Sequence, residues 1–179
     1  MMRIAYGGHP GAFGELACLG RFPDDEPVGF NDFRLACDAL VGGDCDRAVI
    51  PFENSIAGAV PGVEALIASL PVTRIDVYPQ PVVFHCLAVP GARLDGIELV
   101  SSHPMALAEC RRFLARLEAR EEEAGDTAGA ASEVAEAGLP TRAALASTRA
   151  AELYGLEVLE ADVQDTADNV TYFAVLRRA

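Results

Sequence analysis

The stretch Asp46-Arg47-Ala48-Val49-Ile50-Pro51-Phe52-Glu53-Asn54-Ser55-Ile56-Ala57-Gly58 decides the reading of the fold. An apolar run, RAVIPF, stops without a spacer at an acid, an amide and a hydroxyl, and small residues follow. A short apolar run bounded by polar and small residues predicts a buried strand, here over 46–52, and a helix is expected near GVEALIASL (62–70). Upstream, RIAY (3–6) predicts a strand that GGHPG breaks, and AFGELACLGRF (12–22) carries apolar residues at helical spacing. PVGF (27–30) is a second strand, and Asn31 is expected to cap the helix DFRLACDALVGG, which ends at a glycine pair. The order β-α-β-α-β-α implies a mostly parallel sheet and an α/β class.

Downstream, TRIDVYPQPVVFHCLAVPG (73–91) is β-rich and interrupted by prolines, as expected of a strand crossing from one lobe to another. GIELVSS reads as a strand, HPMALAECRRFLARLEAR as a long amphipathic helix, and EEEAG as its solvated acidic end. DTAGAASEVAEAG is an Ala-rich helix, RAALAS a strand, TRAAELYG a helix closed by Gly155, and LEVLEADV and NVTYFAVL the last strands. No repeat or low-complexity linker appears.

The chain has 179 residues, 51% of them hydrophobic, enough for one compact domain or two small lobes. Its formal net charge is −13, and all 14 basic residues are arginines, with no basic stretch interleaved with aromatics. Such a chain repels nucleic acid and anionic membranes. No apolar run reaches membrane-spanning length and the start lacks a signal peptide's segments, so a cytoplasmic protein is expected. The five cysteines (Cys18, Cys37, Cys45, Cys86, Cys110) show no CxxC spacing and read as reduced, buried thiols.

Polar residues gather where strands end and helices begin: Gly7-Gly8-His9-Pro10-Gly11, Glu53-Asn54-Ser55, Ser101-Ser102-His103-Pro104 and Asp126-Thr127-Ala128-Gly129. In parallel α/β sheets the carboxyl ends of strands face the ligand site, and helix N-termini bring free N–H groups to it. Each set also has a purely structural reading. Asn54, Ser55, Asp126 and Thr127 suit helix caps, His103 suits a turn before proline, and His85 suits a buried strand. No GxSxG elbow, metal-ligand spacing or Walker lysine is present.

The residues go further than the pattern. RIAYGGHPGAFGELA, AVIPFENSIAGAV, FHCLAVPGA, SSHPMALAECRRFL, GDTAGAASEVAE, AALASTRAAELYGLEVL and VQDTADNVTYFAVL, in this order, make the chain resemble the catalytic domain of prephenate dehydratase along nearly its whole length. The resemblance implies two α/β lobes around a cleft, similar to type II periplasmic binding proteins, with lobe 1 about 1–76 plus 166–179 and lobe 2 about 77–165. It implies a carbon–oxygen lyase that takes prephenate to phenylpyruvate in phenylalanine biosynthesis, with no cofactor, no metal and a homodimeric assembly. It also implies site residues: Thr171 as the oriented donor that assists hydroxide loss, with Glu53, Asn54 and Ser55 as one wall and Asn54 and Ser55 donating to substrate. Substrate contacts are implied from Thr127, Ala128, His103, Met105, Pro10 and Phe13. The family's C-terminal regulatory ACT domain, which binds phenylalanine, has no counterpart in these residues.

The chain departs from the family at three motif positions. The family's Thr-Arg-Phe is Thr171-Tyr172-Phe173, the glutamine after Ser-His-Pro is Met105, and the serine of the first motif is Gly14. Two other readings therefore stand beside the dehydratase: an arogenate dehydratase, and a catalytically weak binding module for an aromatic-pathway acid.

Overall fold

The computed structural model describes residues 1–179 and divides into two compact units. The first comprises Met1–His9, Phe13–Val82 and Asp168–Ala179; the second comprises Pro10–Ala12 and Val83–Ala167.

In the first unit, β1 (Arg3–Gly7), β2 (Glu26–Phe30) and β3 (Arg47–Asn54) run parallel, joined by α1 (Phe13–Arg21) and α2 (Phe33–Gly42). A two-residue strand β4 (Gly58–Ala59), α3 (Val63–Ala68), β5 (Val72–Pro81) and the final strand β11 (Val170–Arg178) complete it. The sheet order is β2-β1-β3-β11-β5, with β11 antiparallel to both its neighbours. Successive residues of β3 point to opposite faces, and both faces are covered. Ala48 and Ile50 pack with Ala5, Ala174, Leu176 and residues of α2, while Val49 packs with Ile4, Tyr6, Phe173, Val175 and Ala17 and Cys18 of α1. This explains why the strand reads as a continuous apolar run.

In the second unit, β6 (His85–Ala88), β7 (Leu99–Ser102), β8 (Arg120–Glu123), β9 (Arg142–Ala146) and β10 (Glu157–Glu160) form a sheet of order β10-β6-β9-β7-β8. The strands β8, β7 and β9 are mutually parallel, and β6 is antiparallel to β9. Leu87, Ala144 and Ala146 pack against α6 (Thr127–Ala137) and α7 (Thr148–Tyr154) through Ala128, Ala131, Ala150 and Ala151. Small residues let these helices lie close to the sheet, which is why this region reads as Ala-rich.

Several sequence expectations are corrected. The cap of α2 is Asp32, whose carboxylate accepts from the Leu35 N–H at 2.7 Å, and not Asn31. The proline-broken stretch is two strands, β5 and β6, with Val82, Val83 and Phe84 between them. The long helix after Ser102 is two helices, α4 (Pro104–Glu109) and α5 (Arg111–Leu117), separated at Cys110. The second helix restarts because Asp165, distant in sequence, accepts from the N–H groups of Arg111 and Arg112, each at 3.0 Å. The acidic stretch expected as a solvated end is the edge strand β8. Its glutamates are matched from neighbouring elements, Glu121 by Arg111 at 2.6 Å and Glu122 by Ser101 at 3.0 Å. Charge on an edge strand also discourages pairing with a second sheet.

All five cysteines are buried. Burial raises each thiol pKa, to about 11 for Cys37 and about 12 for Cys86 and Cys110. The thiolate is the reactive form. We therefore expect fewer than about one thiol per chain to react with Ellman's reagent at pH 7.5 within minutes, and all of them once guanidinium unfolds the chain. Rapid native reaction of several thiols would contradict this burial.

Candidate active site

The polar corner is a hairpin and not the start of a helix. Asn54 pairs with Gly58, and Ser55, Ile56 and Ala57 form the loop. The Asn54 carbonyl oxygen, Oδ1, accepts from the Ile56 and Ala57 N–H groups, each at 2.9 Å, so the side chain builds its own turn. Gly58 closes the loop at φ 80°, the left-handed region where glycine is favoured. The alternative reading of Asn54 and Ser55 as helix caps falls with this, since α3 begins only at Val63 after Gly62.

The final strand β11 completes the site. It runs antiparallel beside β3, with Thr171 opposite Asn54 and Tyr172 opposite Glu53. The Asn54 Nδ2 group donates to Asn169 Oδ1 at 2.8 Å and to Thr171 Oγ1 at 3.0 Å. Ser55 Oγ donates to the Asp168 carbonyl at 3.2 Å and accepts from the Val170 N–H at 2.9 Å. Asn54 is 5% exposed and Asn169 2%. This network corrects the expected direct donation from Asn54 and Ser55 to substrate. Both hydrogens of the Asn54 amide and the Ser55 hydroxyl proton already have protein acceptors.

Thr171 differs. A hydroxyl has one proton and two lone pairs. One lone pair takes the Asn54 N–H, and the proton is donated to no protein atom. Thr171 is half-buried. Its proton is therefore directed away from Asn54.

Glu53 is exposed and precedes Asn54 in the strand, so it projects to the opposite face. The expected wall of Glu53, Asn54 and Ser55 is thus corrected for Glu53. It shares its face with Tyr172, its cross-strand partner. The exchange of the family's arginine for Tyr172 therefore falls on the face away from the Thr171 hydroxyl. The Gly14 departure has a packing reason: a Cβ there would lie 3.1 Å from the Tyr6 ring and 3.3 Å from the Gly7 carbonyl. The Met105 departure has no explanation in the structure.

Other expected site residues fall elsewhere. Phe13 opens α1 and packs against the cluster around Tyr6 and Phe173 in the first unit. In the second unit, β7, β8 and β9 end together, and His103, Asp126 and Ser147 follow as N-caps of α4, α6 and α7. His103 Nδ1 accepts from the Met105 N–H at 3.1 Å, leaving the Met105 side chain 38% exposed. The Asp126 carboxylate accepts from the Gly129 N–H at 2.7 Å. The N–H groups of Thr127 and Ala128 carry no protein acceptor, as expected of a helix's first turn. Pro10 is held beside α7, its carbonyl accepting from the Tyr154 hydroxyl at 2.7 Å. Ser147 Oγ likewise donates to the Gly11 carbonyl at 2.7 Å.

His85 faces Ala146 across the ladder and is 8% exposed. Its Nδ1 accepts from the Asp162 N–H at 3.2 Å, which requires a neutral ring. Burial holds its pKa below the ordinary imidazole value, against the opposing pull of the Asp162 carboxylate. The unfolded chain binds this proton more readily, so the contribution to stability is present above about pH 6.5 and lost as pH falls through the lower folded value. We expect the melting-temperature advantage of wild type over His85→Gln to narrow between pH 7 and pH 5. A difference independent of pH would remove this assignment.

The prephenate dehydratase family matches residues 4–179. This chain belongs to the prephenate dehydratase family. A relative from Arabidopsis thaliana, the chloroplastic arogenate dehydratase 3, is 40% identical over 180 residues, 99% of this chain and 42% of the relative. The chain thus spans less than half the length of such curated relatives. Among solved structures, prephenate dehydratase from Arthrobacter aurescens in complex with L-Phe superposes at a TM-score of 0.90 with 28% identity, covering 99% of this chain and 60% of that one. GqqA, described as a novel type of quorum quenching acylase, superposes at 0.91 with 34% identity, covering 99% and 64%. A nutrient binding protein from Burkholderia cenocepacia bound to methionine shares the fold alone, at 0.52 and 11% identity, covering 100% and 85%. The expected α/β class, similar to periplasmic binding proteins, is borne out, with each of the two sheets mixed rather than mostly parallel. The expected cytoplasmic location is overturned: several Arabidopsis thaliana relatives are named chloroplastic. Compartment is addressed by separate leader segments, so a folded domain's composition is no guide to it. No helix is long and apolar enough to cross a membrane.

Proposed function

We propose that this chain catalyses the decarboxylative dehydration of prephenate to phenylpyruvate, with arogenate as the alternative substrate. The observation that carries the reading is the Thr171 hydroxyl, whose lone pair is filled by Asn54 and whose proton has no protein acceptor, in a chain of this family. In the reaction the ring carboxylate leaves as carbon dioxide. Its bonding electrons move into the ring, and the ring hydroxyl departs as hydroxide, which takes a proton to become water. Aromatisation drives the step, and a donor at the departing oxygen lowers its barrier. Thr171 is that donor. Asn54 and Ser55 hold the strand ends that aim it.

Thr127 and Ala128 are retained as proposed contacts to a carboxylate of the acid substrate, at the positive end of α6. His103, Met105, Pro10 and Phe13 are retained as proposed substrate contacts. The small-molecule acid is the proposed partner, and the proposed assembly is a homodimer, testable by sedimentation. Arogenate is favoured as the alternative by relatives named arogenate dehydratase or arogenate dehydratase/prephenate dehydratase. The acylase description belongs to GqqA. Here Ser102, beside His103, is fully buried with its hydroxyl donated to the Leu145 carbonyl at 2.7 Å, so it offers no nucleophile.

The test is direct. Purified protein is mixed with prephenate at neutral pH, and phenylpyruvate is followed by its absorbance in alkali against an enzyme-free blank; arogenate is assayed in parallel by phenylalanine formation. Turnover of either acid above the blank is the expected result, and the ratio of the kcat/KM values names the preferred substrate. Loss of turnover on both, with prephenate still raising the melting temperature, would point to the binding module.

A further inference from the structure

We propose that Asn169 is a positioning residue that sets the direction in which the Thr171 hydroxyl donates. The proposal rests on the reading of Thr171 as the donor to the leaving hydroxyl. Asn169 lies just before β11, two residues from Thr171, and is 2% exposed. Its backbone carbonyl accepts from the Val82 N–H at 2.8 Å, which anchors it beside the end of β5. Its Oδ1 accepts one hydrogen of the Asn54 amide at 2.8 Å, and the other goes to Thr171 Oγ1 at 3.0 Å.

This arrangement dictates a polarity. The Asn54 Oδ1 accepts two backbone N–H groups, so its amide cannot be turned the other way round. An amide nitrogen donates and does not accept. The Thr171 proton therefore cannot point at Asn54 and is directed away from it. Removing the Asn169 acceptor leaves one buried hydrogen of Asn54 without a partner. The amide then shifts to share its donors, and its bond to Thr171 loosens. The Thr171 rotor gains a second orientation in which its proton is misdirected. The loss should appear in kcat, where the departing hydroxide needs the donor, and not in KM.

The test is a double-mutant cycle on the 179-residue chain, read by phenylpyruvate formation, with melting curves to verify folding. Asn169→Ala should lower kcat about 10- to 100-fold with KM within about threefold. Asn169→Ser, whose oxygen is drawn back from Asn54, should do the same at a smaller packing cost. Asn169→Asp keeps an acceptor oxygen toward Asn54 and should lose less kcat than Asn169→Ala, with the stability cost of its buried carboxylate read from the melting curves. In a Thr171→Ala background, Asn169→Ala should cost less than about twofold more, because a residue acting through the hydroxyl has nothing left to position. A merely structural role would cost the same factor in both backgrounds. Losses that multiply, a folded Asn169→Ala or Asn169→Ser with wild-type kcat, or an Asn169→Asp loss in kcat larger than that of Asn169→Ala in an equally stable protein would overturn the proposal while leaving Thr171 as donor. Wild-type turnover in Thr171→Ala would overturn the Thr171 reading and this proposal with it.

Discussion

Thr171→Ala is expected to lower kcat for prephenate by about 100- to 1,000-fold, the loss typical of one preorganised donor at a developing negative charge. KM should change by less than about threefold, because the donor matters most when the hydroxide departs. The geometry gives a reason beyond residue type. Thr171 is held opposite Asn54 in the antiparallel ladder, and its oxygen accepts from the Asn54 amide, leaving its proton for a ligand. The methyl group's packing is a separate effect that Thr171→Ser isolates. The serine variant keeps the hydroxyl and should recover most of the rate. Steady-state kinetics on the two variants decide the matter: an alanine variant within about threefold of wild-type kcat would remove Thr171 from the chemistry.

Asn54→Asp is expected to cost as much as Thr171→Ala, by inverting the same hydroxyl. The substitution keeps Oδ1, which accepts from the Ile56 and Ala57 N–H groups, so the hairpin should survive. It replaces the amide nitrogen, which donates to Asn169 and Thr171, with an acceptor oxygen. The Thr171 proton then turns toward the new carboxylate and is lost to the substrate. A like-polarity contact with Asn169 Oδ1 adds a cost in stability of about 1–3 kcal/mol, or several degrees in melting temperature. The prediction separates polarity from packing, since the side chain's size barely changes. A folded variant with near-normal kcat would mean that Asn54 does not orient Thr171.

Much of the framework was legible because its causes are local. The apolar run through Ile50 predicts a strand buried on both faces, and Ala48, Val49 and Ile50 are all buried. Asp126 and Gly155 do cap α6 and α7 at the expected ends, since capping depends on a few consecutive residues. The break at Cys110 was not legible. It depends on Asp165, which the chain brings back from more than fifty residues away to cap α5. The strand β8 was hidden for a similar reason. Three consecutive glutamates give no strand signal, and only the ladder to β7 and the groups beside it make the conformation stable.

At the site, the sequence determined the parts. Thr171 and the Glu53-Asn54-Ser55 corner are named by residue type, by order along the chain and by likeness to a family. Asn169 carried one faint signal, a polar residue at the strand spacing from Thr171. Only the tertiary structure decided what each part does. By running antiparallel beside β3, β11 brings residues more than a hundred positions apart within hydrogen-bond reach. That contact turns Asn54 from an apparent ligand donor into a support. It also leaves Thr171 with the unclaimed proton. A side chain's hydrogen-bonding capacity is a property of its type, but how much is left for a ligand depends on its neighbours in space.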